Sequence, residues 1–243
     1  MTDLAGREEV EILADKDPGV GLPGRVYLPG YSRTMGPQSH LFAERERLQS
    51  LTWEHFDVKQ LSPTIGAELV GLDLSQELPD EVVSEIQQAL WDYKVIFFRN
   101  QEITSEQQIS FAQRFGELEI HPFLPPNTET PELVRFEKNA NAAGYENQWH
   151  HDVTWRETPS QGAILRAIEI PPIGGDTLFV DANAAYEGLA QEIKKEIDSL
   201  NAVHDFLRAF GRQVPKEKLA EMRKMYPLVK HPVVINHHQT GKP

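Results

Sequence analysis

The segment from Gln148 to Trp155 holds the densest group of side chains that could bind a metal ion. It contains His150, His151 and Asp152, followed by β-branched and aromatic residues that favour extended backbone. In an extended segment residues i and i+2 point to the same side, so we expect His150 and Asp152 to converge while His151 turns away. One imidazole and one carboxylate are two thirds of the 2-His-1-carboxylate ligand set that suits non-haem Fe(II).

A His-x-Asp pair is weak evidence by itself, because short motifs recur by chance. The chain has nine histidines, and His55-Phe56-Asp57 repeats the pattern in a segment that we do not expect to be a site. A hydrogen-bonded, semi-buried histidine is the structural alternative for His150. The chain has no cysteine, which excludes disulfides, zinc ribbons, iron–sulfur clusters and thiol nucleophiles. A transition-metal site must therefore use histidine and carboxylate.

The composition narrows the classes of partner. The chain has 243 residues, with 24 basic and 37 acidic side chains and a formal net charge of −13. Such a balance argues against nucleic acid and against anionic membrane surfaces, both of which attract basic faces. The sequence shows no leader of the secretory type and no apolar run near the roughly 20 residues that span a bilayer. We therefore expect a cytoplasmic protein.

The chain divides into two parts by composition. Nine of the residues between 18 and 37 are Gly or Pro, which favour turns over long helices. We expect residues 1–50 to form an irregular or disordered extension, with a loop-rich part of the fold as the alternative. Residues 51–243 show the mixed pattern of one α+β domain.

Several elements are predicted in this domain to position the metal-binding segment. Pro79 precedes an amphipathic stripe that predicts a helix, and Thr104 with Gln107 forms a capping-box pattern at the start of a second helix. Residues 121–147 are rich in Pro, Asn and Gly and predict a long loop. Apolar composition and length predict further strands within Val58–Leu74, Lys94–Phe98, Ala163–Ile170, Asp176–Val180 and Pro232–Ile235. Asn183 can cap a helix that runs to about Leu200.

An ordered series of motifs supports the interpretation of His150 and Asp152. The motifs are Trp149-His150-His151-Asp152-Val153-Thr154-Trp155, Gly174-Gly175-Asp176-Thr177, Ala184-Ala185-Tyr186-Glu187, His204-Asp205-Phe206 and His231-Pro232-Val233-Val234. From about residue 55 to the last residue, the sequence resembles the TauD/TfdA family of Fe(II)- and 2-oxoglutarate-dependent dioxygenases. The nearest pattern is that of enzymes acting on taurine and other sulfonates. The resemblance implies a double-stranded β-helix, or jelly roll, with flanking helices.

The resemblance also implies roles for individual residues. His150 and Asp152 match the first two metal ligands, and Thr177 matches a threonine whose hydroxyl binds a carboxylate of 2-oxoglutarate. His121 and Phe210 match residues that contact the substrate in sulfonate dioxygenases. The cofactors implied are Fe(II) and 2-oxoglutarate, and the partners implied are O2, a small anionic substrate and, as relatives commonly self-associate, a second copy of the chain.

Two positions depart from the taurine enzymes. Leu124 stands where they carry a tyrosine, and Glu146 stands where they carry an asparagine near the substrate. A carboxylate that pointed inward at Glu146 would repel a sulfonate. These departures argue against taurine itself and leave open a bulkier or differently charged substrate.

Three parts of the family pattern are missing from the sequence: the second histidine ligand, the arginine that follows it and pairs with 2-oxoglutarate, and the arginine that binds a sulfonate. The chain ends after a predicted strand and a predicted turn at residues 237–242, which would leave an open sheet edge. We do not expect His237 or His238 to replace the ligand, because both lie in that turn. We therefore expect a fragment that lacks the last strands of the jelly roll, on the order of 60 residues or more.

Two alternatives to the dioxygenase remain open from the sequence. The chain could be an inactive fragment or a binding module of the same fold, because a two-ligand site would hold iron weakly. It could also be a cupin-type metal protein that does not use 2-oxoglutarate. That alternative requires additional His or Glu ligands near His150, for which His151 is the only candidate.

Overall fold

The computed structural model describes residues 38–121, 129–138, 149–210 and 215–243. The α-helices are α1 (His40–Gln49), α2 (Asp80–Tyr93), α3 (Ser105–Gln113), α4 (Ala182–Glu187), α5 (Gln191–Ile197), α6 (Phe206–Phe210) and α7 (Leu219–Met225), and a 3₁₀-helix at Lys216–Lys218 precedes α7. The strands are β1 (Asp57–Gln60), β2 (Ala67–Val70), β3 (Ile96–Phe97), β4 (Asn201–His204) and β5 (Val229–Pro232). The mixed helix and strand content agrees with the α+β prediction.

Helix α2 and a three-stranded sheet form the main core. Strand β1 pairs antiparallel with β2, and β2 pairs parallel with β3 after the crossover through α2. The helix begins after Pro79, as predicted, with acidic residues in its first turn where the helix dipole favours them. Its apolar stripe faces the sheet, and the buried cluster consists of Leu48, Phe56, Ala67, Leu69, Val82, Ile86, Ala89 and Tyr93.

Part of the predicted extension, residues 1–50, is folded. Helix α1 lies within that range, and its Leu48 is 1% exposed in the main core. The Tyr93 hydroxyl donates a hydrogen bond to the Leu48 carbonyl (3.1 Å), which fixes the end of α1 against α2. Residues 40–49 therefore belong to the folded unit, whereas the remaining part of the predicted extension, residues 1–37, lies outside the described residues.

A network of ion pairs joins α1 to distant parts of the chain. The Glu44 carboxylate accepts from Arg47 (2.9 Å), from Lys94 at the end of α2 (3.3 Å) and from Lys242 near the C-terminus (2.9 Å). Lys94 also lies 3.3 Å from Asp181, the residue that caps α4. These cations hold the pKa of Glu44 at about 2, although its partial burial opposes the shift.

A second, smaller sheet supports the metal-binding segment. Strand β4 pairs antiparallel with β5, in a register that sets Ala202 opposite His231. Strand β5 begins and ends earlier than the predicted Pro232–Ile235 and shares only Pro232 with it. The predicted turn that follows has Gly241 at φ +67°. Two helices, α4 and α5, replace the single predicted helix from Asn183 to Leu200. Asp181 rather than Asn183 caps α4, and Gly188 ends it.

The strands predicted at Ala163–Ile170 and Asp176–Val180 are not formed. Both segments lack strand pairing and leave large apolar side chains on the surface, as at Leu165 (70% exposed) and Ile168 (77%). A strand needs a hydrogen-bonded neighbour, and the part of the chain that the structure describes brings none to these segments. Its five strands form two separate sheets, one of three strands and one of two. Across the described residues, no helix is long and apolar enough to cross a bilayer.

Candidate active site

His150 and Asp152 lie side by side. The distance from His150 Nε2 to Asp152 Oδ1 is 3.4 Å, and both side chains are about two-thirds exposed, at 66% and 65%. His151 does not join them through its ring, because its Nδ1 lies 2.9 Å from the Asp152 carbonyl oxygen. The convergence of His150 and Asp152 that the sequence predicted is therefore present, on an open surface.

The backbone that brings this pair together is a turn and not an extended strand. Residues 152–155 form the turn, and the Arg156 amide donates to the Val153 carbonyl (3.0 Å). Val153 has φ +54°, which is rare for a β-branched residue. The prediction of extended backbone from Val153 to Trp155 was wrong, because tertiary contacts override the strand propensity of these residues.

Two histidines from the small sheet hold this turn. His231 Nε2 lies 2.8 Å from the Thr154 carbonyl oxygen and 3.0 Å from that of Arg156. His204 Nδ1 lies 2.9 Å from the Thr154 hydroxyl. His204 lies on β4 and His231 on β5. No local pattern could have found these contacts, because they join residues 50 to 77 positions apart.

His121 and Phe210, the two predicted substrate contacts, also lie together. Their ring centroids are 5.2 Å apart, with the rings tilted by 55°. Phe210 contacts Trp155 edge-on at 6.5 Å, and Trp155 in turn packs on Tyr226 at 4.9 Å. Trp155 is 6% exposed and so is a packing residue. These aromatic rings form a wall that links the turn after Asp152 to His121.

Charged side chains surround His121. Arg156 pairs with Glu119 at 2.8 Å, and the Ser160 hydroxyl donates to the same carboxylate at 3.0 Å. Burial lowers the pKa of His121, and Arg156 acts in the same direction, whereas Glu119 and Asp152 oppose the shift. The field of Asp152 therefore reaches His121, which places the predicted substrate contact and the predicted ligand in one electrostatic environment.

Thr177 is not brought to this group by the structure. It lies in the exposed segment 176–180, and among the described residues its hydroxyl makes no hydrogen bond. Nearby, Phe179 contacts Phe97 of β3 edge-on at 6.4 Å, which anchors the segment to the larger sheet. Leu124 and Glu146, the two departures from the taurine pattern, lie outside the described residues.

Comparison with known proteins decides the family. The model of the family described as "Taurine catabolism dioxygenase TauD, TfdA family" matches residues 57–243. The chain belongs to the TauD/TfdA family. The match includes each predicted site residue, from His121 to Phe210.

Individual TauD/TfdA relatives are similar over most of this chain. An alkylsulfatase from Acinetobacter baylyi is 36% identical over 197 residues, covering 78% of this chain and 62% of the relative. An α-ketoglutarate-dependent sulfate ester dioxygenase from Pseudomonas putida is 35% identical, covering 76% and 64%. The crystal structure of a taurine dioxygenase from Burkholderia xenovorans matches with a TM-score of 0.64 at 34% identity, covering 78% and 61%. The chain thus spans less than two thirds of the length of these relatives.

The family implies iron, and the donor set of the pair fits it in part. Two ligand atoms about 2.1 Å from one ion and at right angles to each other lie about 3 Å apart, close to the 3.4 Å between His150 Nε2 and Asp152 Oδ1. Imidazole nitrogen with carboxylate oxygen is a set that suits Fe(II). The described residues contain no cluster of three such groups, so they offer two of the three groups that a facial triad needs.

Proposed function

We propose that the whole protein is an Fe(II)- and 2-oxoglutarate-dependent dioxygenase that hydroxylates a small organic acid and releases succinate and CO2. The observation that carries this proposal is the 3.4 Å approach of His150 to Asp152 within the residues that match the TauD/TfdA family. We further propose that the complete fold is the jelly roll of that family. In such a fold the exposed apolar segments 163–170 and 176–180 would become paired strands.

The proposed roles divide between holding the metal and binding the two acids. His150 and Asp152 would hold Fe(II), which together with O2 and 2-oxoglutarate supplies the oxidising chemistry. The Thr177 hydroxyl would donate a hydrogen bond to a carboxylate of 2-oxoglutarate. His121 would donate to the anionic group of the substrate, and the Phe210 ring beside it would exclude water from the alkyl part.

The substrate class that we propose is a sulfonate such as taurine, or a related alkyl sulfonate or alkyl sulfate. Similar proteins are named for sulfate esters, for alkyl sulfates and for taurine, and all these substrates present a tetrahedral sulfur anion. Burial lowers the pKa of His121, which favours the neutral ring, and this ring would act as a hydrogen-bond donor to the anion. Because a protein with a net charge of −13 repels an anion at long range, binding of the anion must rely on local donors such as this ring.

The proposed activity requires a third metal ligand in addition to His150 and Asp152. We propose that a second histidine and an arginine that binds 2-oxoglutarate follow residue 243, because the relatives that match are longer than this chain. Determining the coding sequence beyond codon 243 tests this directly. A downstream histidine followed by an arginine is the expected result. A stop codon directly after Pro243 would contradict the proposed activity and favour an inactive module of the same fold.

Succinate release measures the activity and the substrate class together. The whole protein, supplied with Fe(II), O2 and 2-oxoglutarate, would be assayed with a panel of alkyl sulfonates, alkyl sulfates and aryloxy acids. We expect a sulfonate or an alkyl sulfate to raise succinate release well above the rate without substrate. A stimulation confined to aryloxy acids would contradict the proposed substrate class, and an unstimulated rate with every compound would place the substrate outside this panel.

His121 offers a residue-level test of the same proposal. We expect His121→Phe to raise the KM for the anionic substrate by about 10-fold or more, because one hydrogen bond to a charged group is worth roughly 1.5–3 kcal/mol. The KM for 2-oxoglutarate should stay within about 2-fold, because the proposed hydrogen bond of His121 is to the substrate and not to 2-oxoglutarate. Equal increases in both KM values would instead show that the substitution disturbs the whole site.

A further inference from the structure

The turn that follows Asp152 is held in a conformation that its sequence disfavours. Val153 has φ +54°, in the left-handed region, where a β-branched side chain is strained. Such a residue keeps this conformation only when its surroundings impose it. Within the turn the Arg156 amide donates to the Val153 carbonyl (3.0 Å). This bond does not fix how the turn is oriented relative to the rest of the fold, so contacts from outside the turn must do so.

His231 supplies the main external contact. Its Nε2 lies within 3.0 Å of two backbone carbonyl oxygens, those of Thr154 and Arg156. Because both neighbours are acceptors, Nε2 must carry the hydrogen and donate to them. The donor therefore bridges the two ends of the turn and orients the peptide units that follow Asp152.

His204 adds a second contact from the same face of the small sheet. Ala202 is opposite His231 in the β4–β5 register, and His204 lies two residues further along β4, so it shares that face. Its Nδ1 is 2.9 Å from the Thr154 hydroxyl, and its ring meets His231 edge-on at 5.0 Å. The two imidazoles thus hold Thr154 by its main chain and by its side chain.

We propose that His231 and His204 are positioning residues that hold the turn after Asp152 and thereby set Asp152 against His150. The inference rests on the proposed function, because it assigns metal binding to His150 and Asp152. Both histidines would act on Asp152 through Thr154 and Arg156, which they contact directly. Outer contacts of this kind commonly change metal affinity by 10- to 100-fold when they are removed.

The test measures Mn(II) affinity by calorimetry on the whole protein, with thermal unfolding recorded for every variant. His231→Phe keeps a ring of similar size and removes the donor, and we expect it to weaken Mn(II) binding by about 10-fold or more. His231→Gln restores an N–H donor and should bind Mn(II) within about 3-fold of the wild type, because it keeps the outer contact whose loss weakens binding. Thr154→Val removes the His204 contact without a large change in shape and should weaken binding less than His231→Phe. His238→Phe is the matched control, because that exposed ring stacks only on His237 among the contacts described.

A second measurement needs no metal, so it tests the positioning role of His231 even if the proposed function is wrong. The three-bond coupling between the amide and α protons of Val153 reports its φ angle by NMR. We expect wild type and His231→Gln to keep the left-handed value and His231→Phe to lose it. An unchanged coupling in folded His231→Phe, or unchanged Mn(II) affinity in that variant, would overturn the positioning role. If Mn(II) binding in the wild type were insensitive to His150→Ala, the proposed function would fail, and the coupling would still decide the role of His231.

Discussion

At the scale of single residues, some charged side chains are stabilised in their ionised form by oppositely charged partners. Glu44 is the clearest case, since its carboxylate contacts cations from α1, from the end of α2 and from the C-terminal turn. Its pKa of about 2 means that the folded state strongly prefers the ionised form. Because Lys242 is 198 positions away in sequence, no local pattern could predict this network.

The lowered pKa of Glu44 predicts a pH-dependent contribution to stability. A carboxyl with a folded pKa below its ordinary value of 4.5 stabilises the fold above pH 4.5, and this contribution is lost as the pH falls toward 2. We expect Glu44→Gln to lower the free energy of unfolding by about 1.5–3 kcal/mol at pH 7, the scale of a hydrogen bond to a charged group. The difference from the wild type should shrink below pH 4.5, as measured by urea unfolding.

Glu46→Gln is the matched control, because Glu46 lies on the exposed side of the same helix. It should change the free energy of unfolding by less than about 0.5 kcal/mol, as surface substitutions usually do. A similar loss in both variants would show that the ion pairs of Glu44 contribute nothing specific.

At the scale of elements, sequence patterns predicted structure where the cause is local. Pro79 and the stripe from Val82 to Tyr93 predicted α2, and Thr104 with Gln107 predicted the capping box of α3, in which both reciprocal hydrogen bonds are present. Prediction failed where contacts between residues far apart in sequence determine the backbone conformation. The segment Ala163–Ile170 has strand composition, but the described residues provide it with no paired neighbour, and Val153 adopts a turn that is stabilised by His231.

The capping box of α3 gives a test at this scale. The Thr104 hydroxyl accepts from the Gln107 amide (3.2 Å), and the Gln107 side chain accepts from the Thr104 amide (2.7 Å). Thr104→Ala removes the first bond and should cost about 1 kcal/mol of stability in urea unfolding. Thr104→Ser keeps the hydroxyl and should stay within a few tenths of a kcal/mol of the wild type. Equal losses in Ala and Ser variants would show that the methyl group matters rather than the cap.

For the whole molecule, the candidate site is held by the smaller sheet, formed by β4 and β5. His150 and Asp152 were predicted from their spacing, and the structure brings them together through a turn held by β4 and β5. Their exposure and the unpaired apolar segments 163–170 and 176–180 are features that composition could not predict, because they depend on which strands find partners. The family match over residues 57–243 explains why the order of motifs was more informative than any single motif.

Several histidines give the molecule a common pH dependence. Burial lowers the pKa values of His121, His204 and His237, so the folded state takes up protons less readily than the unfolded chain. Their neutral forms are therefore favoured by folding, and stability should fall as the pH drops below about 6.5. We expect the free energy of unfolding to decrease between pH 7 and pH 5.5.

His237 allows this dependence to be assigned to one residue. Its Nδ1 accepts from the amides of Gln239 (3.3 Å) and Thr240 (3.2 Å), which a protonated ring could not do. His237→Asn keeps an acceptor for the turn and does not titrate, so it should reduce the loss of stability on acidification while leaving stability at pH 8 within about 0.5 kcal/mol. An identical pH slope in wild type and variant would contradict this assignment.

The central claim is that His150 and Asp152 form part of an Fe(II) site that also takes 2-oxoglutarate. The most direct measurement adds Fe(II) and 2-oxoglutarate to the whole protein without oxygen and records the visible absorption spectrum. We predict a weak charge-transfer band in the wild type and in His151→Ala, whose ring contacts only the Asp152 carbonyl among the hydrogen bonds described. The band should be absent in His150→Ala. No band in the wild type, or a band that survives in His150→Ala, would contradict the account.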